Sequence, residues 1–331
     1  MNKRTGLGVL LAVTLLFASS TPAIANVNQS KVPDEIDVVG RIEAISGQPA
    51  TYIEKEKLPY YSPDNVLSKY ITGDFSYLVD DVTRQIIEIM PVNDQTVEYS
   101  TEALYTEDEL YQMAVEFIQQ VSPELVLDEL TLKPGNKENI NYFFRWIDER
   151  VKTPDGGPGY IQVGISRGGS ILNLVNTIPF GGKNTVNQFN EIYANDGNYW
   201  YNETHNLISV PSYGYCGSPS GSWCSPYTIR YTTTTTGQAT ASAYWGPNSN
   251  TNTKASAFIP SNHATTTGAC YYINGSSSAS QCVNQLSYYD TWVVITPNPY
   301  TSGISTIRLN NHVASGSGSK VAWDEVWVYT Y

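Results

Sequence analysis

The last twelve residues of this 331-residue chain read KVAWDEVWVYTY (residues 320–331), and the fold turns on how they are arranged. Side chains alternate across a β-strand. A strand here puts Asp324, Val326 and Val328 on one face and Trp323, Glu325, Trp327, Tyr329 and Tyr331 on the other. Asp324 and Glu325 then point to opposite faces and cannot act together as an acid pair, because glycoside hydrolysis needs two carboxyl groups facing one cleft. The stretch predicts a closing strand with an aromatic face rather than a catalytic dyad.

Upstream, residues 181–331 carry 6 acidic and 5 basic side chains and are rich in Ser, Thr, Asn, Gly and Tyr. Short runs of β-branched and aromatic residues alternate with Gly, Pro, Asn and Ser, which predicts an all-β sandwich or jelly roll. The five threonines at 232–236 read as a polar-faced strand. All four cysteines lie here: Cys216, Cys224, Cys270 and Cys282. In an exported chain they predict disulfides, with the local pairs 216–224 and 270–282 favoured. Zinc is the competing use, but no histidine sits at ligand spacing beside either pair.

Residues 26–180 have a different character, with 25 acidic and 12 basic side chains. The change in composition marks a domain boundary at PFGGKNT (residues 179–185). This half reads as α+β, one helix on an antiparallel sheet. FSYLVDDVTRQIIEIMPV (residues 75–92) predicts a hairpin with Asp80 and Asp81 at its turn. In TEDELYQMAVEFIQQVSPE, Thr106 and Glu109 form a capping box. Leu110, Ala114, Phe117, Ile118 and Val121 follow at helical spacing, and Pro123 comes after the end. INYFFRWIDERV and GYIQVGISRGGSILNLVNTI predict further strands, the second a hairpin turning at Gly168 and Gly169. Residues 26–68 are polar, weakly periodic and unassigned. Residues 1–25 read as a secretory signal peptide: Lys3 and Arg4, an apolar run too short to span a membrane, and the small-residue site AIA with cleavage after Ala25.

Cleavage would take the net charge from −12 to −14. Such acidity, without a Lys/Arg cluster, argues against nucleic acid and anionic membranes as partners. Signals for catalysis are weak. GISRG places Ser166 in a G-x-S-x-G pattern, which works on a strand-to-helix elbow; a second strand follows here instead. His205, His263 and His312 form no metal or triad spacing. Outside the final strand, the acids of the second half are Glu191, Asp196, Glu203 and Asp290. No cofactor is implied. Structural calcium is compatible with loop carboxylates, but no ligand loop can be named.

Two resemblances add to this reading. The order F-I-P, V-N-Q, W-V-x-I, G-x-x-x-I-x-L-x-N and A-W-D-x-V-x-V, from Tyr244 to Tyr331, resembles the golvesin C-terminal-like β-sandwich of secreted bacterial proteins. The helix followed by a meander, with NYFFRWID, over about residues 70–178 is similar to PepSY-like modules. The organisation implied is a PepSY-like domain at 69–180 and a golvesin-like sandwich at 181–331. The golvesin pattern turns Asp324, Val326 and Val328 inward and makes Asp324 a structural hydrogen-bond acceptor. It leaves an outward aromatic face, for which Trp323, Trp327, Tyr329, Trp292 and Trp245 are the candidates. Aromatic rings stack on the C–H faces of sugars. The expected function is therefore non-catalytic, salt-insensitive binding of an extracellular polysaccharide or cell-wall polymer by a secreted protein. The alternatives are a polysaccharide hydrolase or lyase, or a PepSY-type modulator of a secreted peptidase.

Overall fold

The computed structural model describes residues 38–330, apart from 57–66, 94–98, 101, 154–157, 181–190, 194–200, 204–207, 212–227, 248, 250–252 and 297–302. The expected signal peptide, Cys216, Cys224, His205, Asp196, Trp200, Trp223 and Tyr331 lie outside the described residues.

Chain order gives α1 (Val38–Ser46), β1 (Thr51–Glu56), β2 (Leu67–Thr72), β3 (Phe75–Asp80) and β4 (Ile86–Pro91). Then come α2 (Glu107–Val121), β5 (Thr131–Lys137), β6 (Asn141–Lys152), β7 (Pro158–Ser166) and β8 (Ile171–Asn176). The eight strands make one antiparallel sheet in the order β1-β2-β3-β4-β8-β7-β6-β5. The capping box starts α2 as expected. Thr106 Oγ1 accepts from the Glu109 N–H at 3.3 Å, and the Glu109 carboxylate accepts from the Thr106 N–H at 2.8 Å. Leu110, Ala114, Ile118 and Val121 of α2 are buried in one cluster with Phe144, Trp146, Ile161 and Val163 of the sheet. The second helix, α1, buries Val38 and Ile42 in the same cluster.

Two sequence features prove to be turn chemistry. Asp80 Oδ1 accepts from the N–H groups of Val82 and Thr83, both at 2.8 Å, and holds the β3–β4 turn. Ser166 Oγ accepts from Ser170 N–H at 3.1 Å across the β7–β8 turn, where Gly169 has φ +82°. Ser166 therefore sits between two strands and not on a nucleophile elbow.

The second half supplies β9 (Glu191–Tyr193), β10 (Tyr201–Glu203), β11 (Ile208–Pro211), β12 (Thr228–Thr233), β13 (Ser242–Trp245) and β14 (Thr253–Ile259). It continues with β15 (Ala269–Ile273), β16 (Gln281–Val283), β17 (Thr291–Val294), β18 (Ile307–Asn310), β19 (Lys320–Trp323) and β20 (Val326–Thr330). They form sheets of order β10-β13-β18-β15-β16, β11-β12-β19 and β17-β14-β20-β9. The first and third sheets enclose a core that includes Trp245, Tyr271, Ile307 and Leu309 from one and Ala255, Ala257, Val326 and Val328 from the other. Of the threonine run, Thr232 and Thr233 extend β12, while Thr234 is buried and its hydroxyl meets Gly316 O and Ser319.

The closing stretch is two strands, not one. β19 belongs to the three-stranded sheet, β20 to the four-stranded sheet, and Asp324 and Glu325 lie between them. Those two residues change the phase of alternation. Trp323 joins Val326 and Val328 in the sandwich core, whereas Trp327 and Tyr329 face the other way.

That other way leads to the first sheet. Trp327, Tyr329, Trp292 and Phe258 pack with Leu67, Leu78, Ile87 and Val175 in a third apolar cluster. Beside it, Lys137, Asn141, Arg145, Gln162 and Asn173 reach from β5–β8 to main-chain carbonyls of the sandwich. Residues 37–331 accordingly form one compact unit.

Candidate functional site

The five aromatics expected on an exposed face are buried. Trp323 and Tyr329 are 0% exposed, Trp245 1%, Trp327 6% and Trp292 7%. The alternation that picked out Trp327 and Tyr329 as facing away from the sandwich core was sound. Their face is covered by the eight-stranded sheet, where Trp292 and Trp327 cross edge to face with centroids 5.5 Å apart. Apolar rings of this size gain more from a matching apolar sheet than from water. Trp323 and Trp245 lie on the inner side, in the sandwich core. These residues therefore offer no open platform. Trp292 alone of the five lines a solvent-open cleft of about 380 Å³ between the sheet and the sandwich, together with Lys69, Glu88, Met90 and Lys254.

The open aromatic face of the sandwich is elsewhere, on the outer side of the five-stranded sheet. Tyr244 on β13 stands directly opposite Arg308 on β18, and Arg308 directly opposite Tyr272 on β15. Directly opposed residues share a face of the sheet, so the three make one row across three strands. The next row sets Ser242 against Asn310, with the Cys270–Cys282 disulfide joining β15 to β16 alongside. Tyr244 is 37% exposed, and Arg308 and Tyr272 are half-buried. The inward positions of the same strands, Ala243, Trp245, Tyr271, Ile307 and Leu309, fill the core. Inward packing fixes the register, and the register sets the outward row. At the usual strand spacing the two tyrosines stand roughly 10 Å apart.

Among the described residues the arginine has a ring beside it and no anion. Its Cζ lies 4.3 Å from the centroid of the Tyr272 ring, and its Nε has no hydrogen-bond partner among the described residues. By contrast Arg145 bonds Gln162, Tyr289 O and Asp290 O, and Arg150 bonds Asp148 and Glu129. The sequence marked Arg308 and Tyr272 indirectly. In ACYYI and IRLN the apolar residues at alternate positions claim the core, which leaves Tyr272 and Arg308 on the outside.

The remaining candidates have structural surroundings. Asp290 Oδ1 accepts from Ser261 N–H at 2.7 Å. Asp324 and Glu325 are buried at the corner between β19 and β20. Burial raises the pKa of the Tyr271 phenol, and the nearby Asp324 charge adds to it. Glu191 and Glu203 belong to β9 and β10. His263 stacks on Tyr231 with centroids 3.9 Å apart; burial, with Lys320 close by, lowers its pKa. His312 Nδ1 lies 2.8 Å from Gly237 O. Among the described residues no three His, Cys, Asp or Glu side chains gather to hold a metal ion. None of the described helices is long and apolar enough to cross a membrane. Of the expected disulfides, 270–282 is formed.

No protein-family model matches the chain, and no curated protein matches it. Among solved structures it is similar to a Paenibacillus xanthan lyase, at 13% identity and TM-score 0.31, over 63% of this chain and 26% of that one. It is also similar to the Bacillus megaterium YpeB C-terminal domain, at 8% identity and TM-score 0.32, over 64% and 91% of the two chains. A third likeness is to an exo-β-1,3-galactanase of Phanerochaete chrysosporium, at 10% identity and TM-score 0.28, over 85% and 68%. The matched part thus spans about a quarter of the lyase. Superpositions this loose decide neither fold nor function.

Proposed function

We propose that this chain is an exported, non-catalytic binding protein whose sandwich holds an extracellular polysaccharide on the outer face of its five-stranded sheet. The row Tyr244–Arg308–Tyr272 carries the reading. Two phenol rings stand a short oligosaccharide apart on one face of the sheet. A guanidinium between them, and Ser242 and Asn310 in the adjacent row, supply the polar partners that sugar hydroxyls require. The eight-stranded, PepSY-like half serves as a rigid support that covers the opposite aromatic face. The golvesin resemblance of residues 244–331 and the signal-peptide reading of residues 1–25 agree with this role.

The test is retention on a panel of soluble and insoluble glycans by affinity electrophoresis and pull-down. Wild-type protein should be retained by at least one polymer, and Tyr244→Ala should weaken that retention with its melting temperature unchanged. Absence of binding across the panel, or unaltered binding by Tyr244→Ala, overturns the reading.

A further inference from the structure

We propose that the outer-face site selects polysaccharides bearing carboxylates, such as polyuronates, and that Arg308 is the residue that selects them. This rests on the glycan-binding reading above. Arg308 is a half-buried cation stacked on Tyr272, with no acidic partner among the described residues. The strands beside it are not acidic either. Strands β13, β15, β16 and β18 (SAYW, ACYYI, QCV and IRLN) contain no Asp or Glu; the one acid of the sheet's strands is Glu203 on the edge strand β10, two strands from Arg308 and in register with Ala243, not with Tyr244.

A partly desolvated guanidinium is normally paired, because its N–H donors lose water when covered. Among the described residues no carboxylate bonds Arg308, which leaves a forked donor of the geometry that a ligand carboxylate matches. Stacking on Tyr272 holds the guanidinium plane in place and lowers the entropy lost on binding. The flanking ring of Tyr244 adds the requirement for a sugar, since a carboxylate alone gains nothing from an aromatic neighbour. The purely stacked, salt-insensitive binding expected from the sequence is thereby replaced by binding with an ionic component.

The experiment uses the full chain and two polyuronates, polygalacturonate and alginate, each compared with its own carboxyl-reduced form. Poly-glutamate serves as a carboxylate without sugar. A charge-assisted pair should favour at least one polyuronate over its reduced form by about tenfold or more. Raising the salt concentration should erode that preference, and Arg308→Gln should abolish it, bringing the ratio of acidic to reduced binding to one even where overall retention weakens; an undiminished ratio in the variant overturns the role of Arg308. Equal binding of acidic and reduced forms by wild-type protein overturns the selectivity but leaves the glycan-binding reading standing. Equal binding of poly-glutamate and polyuronate overturns it in favour of an acidic peptide. Absence of binding to any of these polymers overturns it as well, and retention on the wider glycan panel then decides whether the broader reading also falls. Arg308→Gln lies on the outer face, and a melting temperature equal to wild type confirms that any loss is not unfolding.

Discussion

Lys137 Nζ donates at 2.9 Å to the carbonyl of Gln285, and this bond joins the eight-stranded sheet to the sandwich. A second bond runs to Ala264 O at 3.3 Å, and Lys137 itself is buried. Burial brings its pKa down to about 7, against the opposing pull of Asp290.

Stability should therefore rise with pH across this junction. The unfolded chain holds the Lys137 proton up to about 10.5 and the folded one only to about 7. Between these values the unfolded state binds more protons, so stability is fullest above 10.5 and is lost as pH falls towards 7, by up to about 1.4 kcal/mol per unit. Thermal unfolding of wild type and Lys137→Met between pH 7 and 9 checks this. The difference between the two should shift steadily with pH, and parallel curves would show that Lys137 is not titrating in this range.

Core and surface aromatics should separate in their effects. Trp327→Ala removes a 6%-exposed ring from the junction and should cost about 3–5 kcal/mol of stability. Tyr244→Ala, on the outer face, should stay within about 0.5 kcal/mol of wild type. Urea denaturation with glycan retention on the same samples checks both. Loss of retention in stable, folded Trp327→Ala would mean that the buried cluster, not the outer row, holds the ligand.

Much of this fold is legible in the sequence because it rests on local rules. The capping box of α2, the β3–β4 and β7–β8 hairpins and the 270–282 disulfide are set by residues near one another in the chain, three apart in the capping box and 12 in the disulfide. The alternation in VWVY correctly put Val326 and Val328 on one face and Trp327 and Tyr329 on the other. What covers the second face depends on β2, β3, β4 and β8, more than 140 residues away in the chain, and no local pattern records such a partner. The same limit hid the switch of sheets at Asp324–Glu325, which turns Trp323 inward. α1 escaped notice because two buried side chains make a weak helical period. β5, TLKPGNK, is an edge strand that contains a Pro and a Gly, residues that usually argue against a strand.

Gln285, from the V-N-Q motif, should be indispensable to the junction. Its side chain donates to Ala322 O at 2.9 Å and accepts from Ala322 N–H at 3.0 Å, while its own carbonyl receives Lys137. Gln285→Leu keeps the bulk but orphans both main-chain groups of Ala322, at roughly 1–3 kcal/mol each. Differential scanning calorimetry should show a clear fall in melting temperature. An unchanged transition would mean that water or a neighbour replaces the amide.

The Cys270–Cys282 bridge should stabilise the sandwich chiefly through the unfolded chain. The two cysteines are a directly opposed pair on β15 and β16, 12 residues apart in sequence. Closing a loop of that length is worth about 3 kcal/mol in the chain-entropy account. The double variant Cys270→Ser/Cys282→Ser should lower the urea midpoint accordingly, and reductant should shift wild type towards the variant. Because β15 also carries Tyr272 and pairs with Arg308 of β18, the folded variant below its transition should keep the row and its glycan retention. Retention lost while the variant remains folded would show that the bridge shapes the binding face itself and does more than tie the β15–β16 edge.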